Sequence, residues 1–112
     1  MQQGSSPRMA KTWRDIPPVP IIAFKSVLLT CCPPDDTGRT FLTSGTTQDG
    51  VKGKSYHPTL DVYDKSMIKN FKNRFLPDTT TIKMGILFPD EVVMPNSSLA
   101  HYLNLALHNF GT

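Results

Sequence analysis

Arg39-Thr-Phe-Leu-Thr-Ser-Gly-Thr-Thr-Gln-Asp-Gly-Val-Lys-Gly-Lys-Ser-Tyr-His57 is the stretch on which the reading of this chain turns. Its two ends carry short β-prone runs, residues 39–43 and Lys54 to His57, the second stopped by Pro58. Between them lie the ingredients of an anion cradle. Glycine lets the backbone turn N–H groups toward a ligand, Ser and Thr hydroxyls add neutral donors, and lysine supplies counter-charge. The cradle leaves the C-terminal end of the first strand, and in open α/β sheets ligands bind outside the carboxyl ends of the strands.

Working outward, residues 1–12 form a polar N-terminal end without periodicity, expected to be disordered. Pro17, Pro18 and Pro20 forbid a helix and lead extended chain into Ile21-Ile-Ala-Phe24, expected to be a short strand. Residues 31–38, with Pro33-Pro34-Asp35-Asp36, are a loop by composition. Beyond the cradle, Thr59 and Asp61 stand at N-cap positions. Leu60, Tyr63, Met67, Phe71 and Phe75 then recur at three- and four-residue steps, the stripe of an amphipathic helix ending near Leu76-Pro77. Thr81-Ile-Lys-Met-Gly-Ile-Leu-Phe88 has the apolar density of a buried central strand. Asn96 and Ser97 cap a last helix with Leu99, Leu103, Ala106, Leu107 and Phe110 on its apolar face. Strand, loop, strand, helix, strand, helix predicts an α/β fold with a largely parallel sheet flanked by helices.

At 112 residues the chain holds one domain at most, 13–112 after the polar end. Twelve Lys plus Arg against nine Asp plus Glu leave +3, too little to argue for nucleic acid. The excess is local, with Lys52, Lys54, Lys65, Lys69, Lys72 and Arg74 close to the cradle; the later lysines are expected to line a solvated helix face. No run approaches the ~18 apolar residues of a membrane span, and the N-terminus lacks the apolar centre of a signal peptide, so a cytoplasmic location is expected. Cys31 and Cys32 are adjacent, which excludes a spaced zinc pair; a packing or loop role is expected of them.

The order Thr43-Ser44-Gly45-Thr46-Thr47 resembles the signature loop of the adenylate-forming (AMP-forming) acyl synthetases, with Gln48 where that family usually has glycine and Gln48-Asp49 standing as an insertion before Gly50-Val51-Lys52-Gly53. The flanks Trp13-Arg-Asp-Ile-Pro-Pro-Val-Pro-Ile-Ile-Ala-Phe-Lys25 and Pro95-Asn-Ser-Ser-Leu99 are similar to the acyl-protein synthetase branch, the fatty-acid-activating component of the bacterial bioluminescence reductase. The resemblance implies an N-terminal part of a longer ligase. Such an enzyme uses ATP and Mg²⁺ to activate a fatty acid or other carboxylate as acyl-AMP and passes the acyl group to a protein thiol, with an acyl-donor or reductase protein as partner. It implies that Thr43, Ser44, Gly45, Thr46 and Thr47 hold phosphate, with Lys52 or Lys54 as counter-charge. Phenylacetate-type coenzyme A ligases share the loop. A Walker loop is excluded by Gln48 at the position of its first glycine. A non-catalytic nucleotide- or phosphate-binding module is the alternative from another class.

Other chemistry-bearing residues have plainer readings. His57 has no nucleophile or carboxylate paired with it in sequence and is expected to be structural. Asp61 and Asp64 in one helical turn suit the helix dipole. Asp90-Glu91 belongs to a loop. Asn96, Ser97 and Ser98 act first as caps, with contact to an acyl or nucleotide group as a second role.

Overall fold

The computed structural model describes residues 10–35, 37–43 and 51–112. Its elements in chain order are a single 3-10 turn at Trp13–Asp15, α1 (Ala23–Ser26), β1 (Arg39–Leu42), β2 (Lys54–His57), α2 (Asp61–Phe75) and α3 (Ser98–Phe110).

The largely parallel sheet expected from the element order is not what forms. Among the described residues the sheet has two strands, β1 and β2, paired antiparallel with Arg39 opposite His57 and Leu42 opposite Lys54. The cause lies in the connection. A loop can return a chain antiparallel, whereas parallel neighbours need a crossover of a dozen or more residues, normally a helix. Two further expected strands are absent for related reasons. Ile21-Ile-Ala-Phe24 enters the one-turn helix α1, because Pro20 opens a turn in which the Ala23 N–H reaches the Pro20 carbonyl at 2.9 Å. Residues 81–88 find a ladder partner only at Ile82, which bridges in parallel fashion to Gly111 at the end of α3. Leu87 is fully exposed. Apolar density without a neighbouring strand is not enough to make one.

The remaining elements follow their patterns. Residues 31–35 and 37–38 are loop, and α2 stops at Phe75 before Leu76-Pro77. Ser97 caps α3 by accepting the Ala100 N–H at 3.2 Å. α2 starts differently from expectation: Leu60 is its N-cap, without a side-chain cap bond, so Thr59 and Asp61 do not cap it. The polar-end expectation for residues 1–9 lies outside the described residues, and Thr12 within it closes a capping box with Asp15.

Period-2 alternation places Arg39, Phe41, Ser55 and His57 on one face of the hairpin and Thr40 and Tyr56 on the other. The first face meets the helices, where Phe41 lies 5.6 Å from Tyr63 of α2 and 5.7 Å from His101 of α3, ring centre to ring centre. On the other face the Tyr56 hydroxyl donates to Asp35 Oδ1 and accepts the Asp35 N–H. Gly38 allows this, since a Cβ there would run into the Tyr56 ring. The core is small: Phe41, Met67, Leu76, Ala100, Ala106 and Phe110 are buried with Tyr56. On α3 the buried stripe is Ala100, Ala106 and Phe110, while Leu99 and Leu107 are about half exposed. His101, bonded to two carboxylates, is buried along with that stripe.

Candidate functional site: a groove on the hairpin

Above the helix-facing side of β1 and β2 lies a groove of about 740 Å³, within the usual range for small-molecule sites. Ile21, Ile22 and Phe24, from α1 and the residues before it, line the groove with Phe41 and Leu42 of β1. Tyr63 and Ser98 close the far side. The polar residues of the lining include Lys25, Thr43, Lys54, Ser55 and His57. The lining is largely apolar, with two lysines, four hydroxyl-bearing residues (Thr43, Ser55, Tyr63 and Ser98) and one histidine.

Each polar group has a local reason for its place. Thr43 closes the open end of the hairpin, where the Gly53 N–H donates to Thr43 Oγ1 at 2.8 Å and the Thr43 N–H to the Gly53 carbonyl at 3.0 Å. Its own O–H is still a donor, since a hydroxyl that accepts can also donate. Ser55 and His57 are two apart on β2 and share a face, with Ser55 Oγ 3.0 Å from His57 Nε2. The imidazole sits edge-on to Phe41, centroids 5.4 Å apart, and to Tyr63 at 5.8 Å. The Tyr63 hydroxyl donates to the Ser98 carbonyl at 3.3 Å. Burial, then the charge of Asp64, push the Tyr63 pKa up, so the phenol stays neutral.

Beside the groove is a polar lock. His101, 7% exposed, stands between two carboxylates, Nδ1 at 2.6 Å from Glu91 Oε1 and Nε2 at 2.8 Å from Asp64 Oδ1. Each ring nitrogen thus lies within hydrogen-bonding distance of a carboxylate oxygen. Arg39 reaches the same Glu91 oxygen at 2.9 Å and also donates to the Pro95 carbonyl, while Asn104 Nδ2 donates to Glu91 Oε2 at 2.8 Å. Burial alone would raise the Glu91 pKa; the hydrogen bonds of His101 and Asn104 and the charges of His101 and Arg39 outweigh it and hold the carboxyl below its ordinary value. This lock fixes residues 91–98 against β1, where the Leu42 N–H donates to the Asn96 carbonyl at 2.9 Å.

Of the residues expected to hold phosphate, Thr43 and Lys54 line the groove, Lys52 is exposed outside it, and Ser44, Gly45, Thr46 and Thr47 lie outside the described residues. Ser98 lines the groove, Ser97 caps α3, and Lys65, Lys69 and Lys72 are exposed along α2. Asp64 does more than complement a helix dipole, since it anchors His101. Sequence reasoning missed His101, Glu91 and Arg39. The available signal was His101 and Asn104 three apart on one face of α3, with an acidic pair ten and eleven residues before the histidine.

Among the described residues no set of His, Cys, Asp and Glu side chains could hold a metal ion, and no helix is long and apolar enough to cross a membrane. Cys31 is exposed and Cys32 half-buried, both as free thiols. No family model, no curated protein and no solved structure matches the chain.

Proposed function

We propose that this chain binds an amphipathic anion, with an acyl chain along Ile21, Ile22, Phe24, Phe41 and Leu42 and a carboxylate or phosphate at the Thr43–Lys54 edge. The observation that carries this reading is the apolar groove opening onto Lys25, Lys54, Thr43 and Ser55. Burial of apolar chain supplies the driving force, at about 0.8 kcal/mol per CH₂ fully removed from water. Lysine and hydroxyl donors choose the anion over a neutral head group. Free thiols at Cys31 and Cys32 suit a reducing compartment such as the cytoplasm.

Calorimetric titration with decanoate and with decanol tests it. Decanoate should bind more tightly than decanol, and Lys54→Gln should weaken decanoate by about tenfold, the scale of one charge-assisted contact at a partly exposed rim, while leaving decanol unchanged. Equal affinities for acid and alcohol in the unaltered chain would refute the anion site.

A second reading, ATP-dependent acyl activation as part of a longer ligase, is favoured by one observation. Thr43, the first residue of the signature-like loop, lines the same groove. ATP would bring the α-phosphate that the carboxylate attacks. Among the described residues the groove lining offers this reading hydroxyl and lysine donors. In a protein that forms acyl-AMP through this loop, Thr46→Ala or Thr47→Ala should slow adenylation about ten- to a thousandfold with little change in fatty-acid binding, read by ATP–pyrophosphate exchange.

A further inference from the structure

The groove contains an arrangement that binding alone does not use. Ser55 Oγ lies 3.0 Å from His57 Nε2, within the reach of a nucleophile and its base, and both side chains line the groove. We propose that Ser55 and His57 form a nucleophile–base dyad that accepts the acyl group of an activated ester lying in the groove. The choice of acyl esters as substrates rests on the amphipathic-anion reading above, whereas the dyad itself rests on the Ser55–His57 geometry.

Three features support a reactive pair over a strand-surface hydrogen bond. The ring nitrogen involved is Nε2, so with the proton on Nδ1 the imidazole can accept the hydroxyl proton directly. No carboxylate is needed to hold the ring in place, because Phe41 on the neighbouring strand and Tyr63 on α2 both pack edge-on to it, at interplanar angles of 60° and 79°. Thr43 and Lys54 are among the residues that line the same groove as Ser55, which brings a hydroxyl-bearing and a cationic residue to the neighbourhood where an oxyanion would develop.

In the first step Ser55 Oγ bonds to the acyl carbonyl carbon as its proton passes to His57 Nε2. The tetrahedral oxyanion then re-forms the carbonyl and breaks the bond to the leaving oxygen, which departs with the proton from Nε2 or, for a stable phenolate, as the anion with that proton lost to water. In the second step water attacks the Ser55 ester and gives a proton to Nε2. The acyl–Oγ bond breaks, the free acid leaves, and Oγ recovers its proton. No electrons are exchanged with an oxidant or reductant.

The test uses p-nitrophenyl acetate and p-nitrophenyl decanoate with the full chain, following nitrophenolate release and mapping the adduct by mass spectrometry of the quenched protein. The expected result is an acyl group on Ser55, lost in Ser55→Ala and retained in Ser55→Cys. Formation should be about a hundredfold or more slower in His57→Gln and in His57→Phe, the second of which keeps an aromatic ring against Phe41 and Tyr63. Circular dichroism establishes that the variants remain folded. Acylation of Ser55 at equal rates by both esters would support the dyad and remove the acyl-groove reading. Adducts on lysines such as Lys54 with none on Ser55 would overturn the dyad, as would Ser55 acylation that proceeds equally fast in both His57 variants, even if decanoate binds as proposed.

Discussion

Helices α2 and α3 meet in two places by two different chemistries. Near their N-termini the contact is ionic: Asp64 and Glu91 hold His101 between them, with Arg39 and Asn104 completing the set. Toward their C-termini it is aromatic, with Phe71 stacked on Phe110 at 5.4 Å and 13° and lying 6.1 Å from Tyr102, close to a fully buried Leu76. The aromatic end resists water by area and shape. The ionic end depends on protonation and on having every partner present. The hairpin and its groove sit against the ionic end, through Phe41 and His57, so the candidate site is coupled to the part of the core that responds to pH.

The largest effect should come from removing the aromatic anchor. Phe110→Ala takes away a nearly buried ring and its stacking partner, and a loss of about 3–5 kcal/mol is expected by denaturant titration. Next is His101→Ala, which leaves Glu91 and Asp64 facing a cavity without their shared donor; about 3 kcal/mol is expected, at the lower end of the cost of breaking a buried pair because both carboxylates are partly solvated. If the two ends behave as described, only the His101 variant should disturb decanoate binding, because only that end touches Phe41. A Phe110 variant that remains folded yet loses the ligand would erase the distinction between the ends.

Acid should separate them more gently. Glu91 has its folded pKa held below the ordinary 4.5. A group depressed on folding contributes stability that is fully present above its unfolded pKa and lost as pH falls through its folded one. The lock should therefore hold at neutral pH and weaken below about 4.5, with a smaller loss in Glu91→Gln, in which Asp35, also held below its ordinary value by its bonds from Thr37 and Tyr56, still remains to be protonated. Thermal melts at pH 7 and pH 3 would check this, and an equal acid loss in the two proteins would place the sensitivity elsewhere.

The two ends also differ in how much of them could be read in advance. The aromatic end was legible, because Met67, Phe71 and Phe110 keep helical spacing and burial follows from that periodicity. So were β1, β2 and the Ser97 cap, which depend on a few neighbouring residues. The ionic end was not, since it joins Asp64, Glu91 and His101 across 37 positions, and spacing says nothing of a pairing made by tertiary packing. The sheet failed for a similar reason. Strand direction is set by what the connection can span and by which neighbour is present, and residues 81–88 have the composition of a strand without a ladder to join. In the site, Thr43 and Lys54 were visible in the loop's chemistry. The Ser55–His57 contact was not, although two residues at period 2 on a short strand were the available clue.

The smallest expected effect tests where the aromatic end stops. Phe75 stacks on Phe71 at 4.9 Å and 29°, so by sequence spacing it belongs to the same stripe, yet it is 66% exposed. It stands at the rim of a second, shallower groove of about 580 Å³ shared with Asn70, Phe71 and Tyr102. A ring that keeps most of its water contact gives up little on truncation, and an exposed aromatic pair contributes about 0.5 kcal/mol beyond its area. Phe75→Ala should therefore cost about 0.5–1 kcal/mol, several times less than Phe110→Ala on α3, and should leave decanoate binding unchanged. The comparison is a pair of denaturant titrations under one set of conditions. A loss at Phe75 as large as that at Phe110 would mean that stacking on Phe71, rather than burial behind it, is what holds this end of the two helices together.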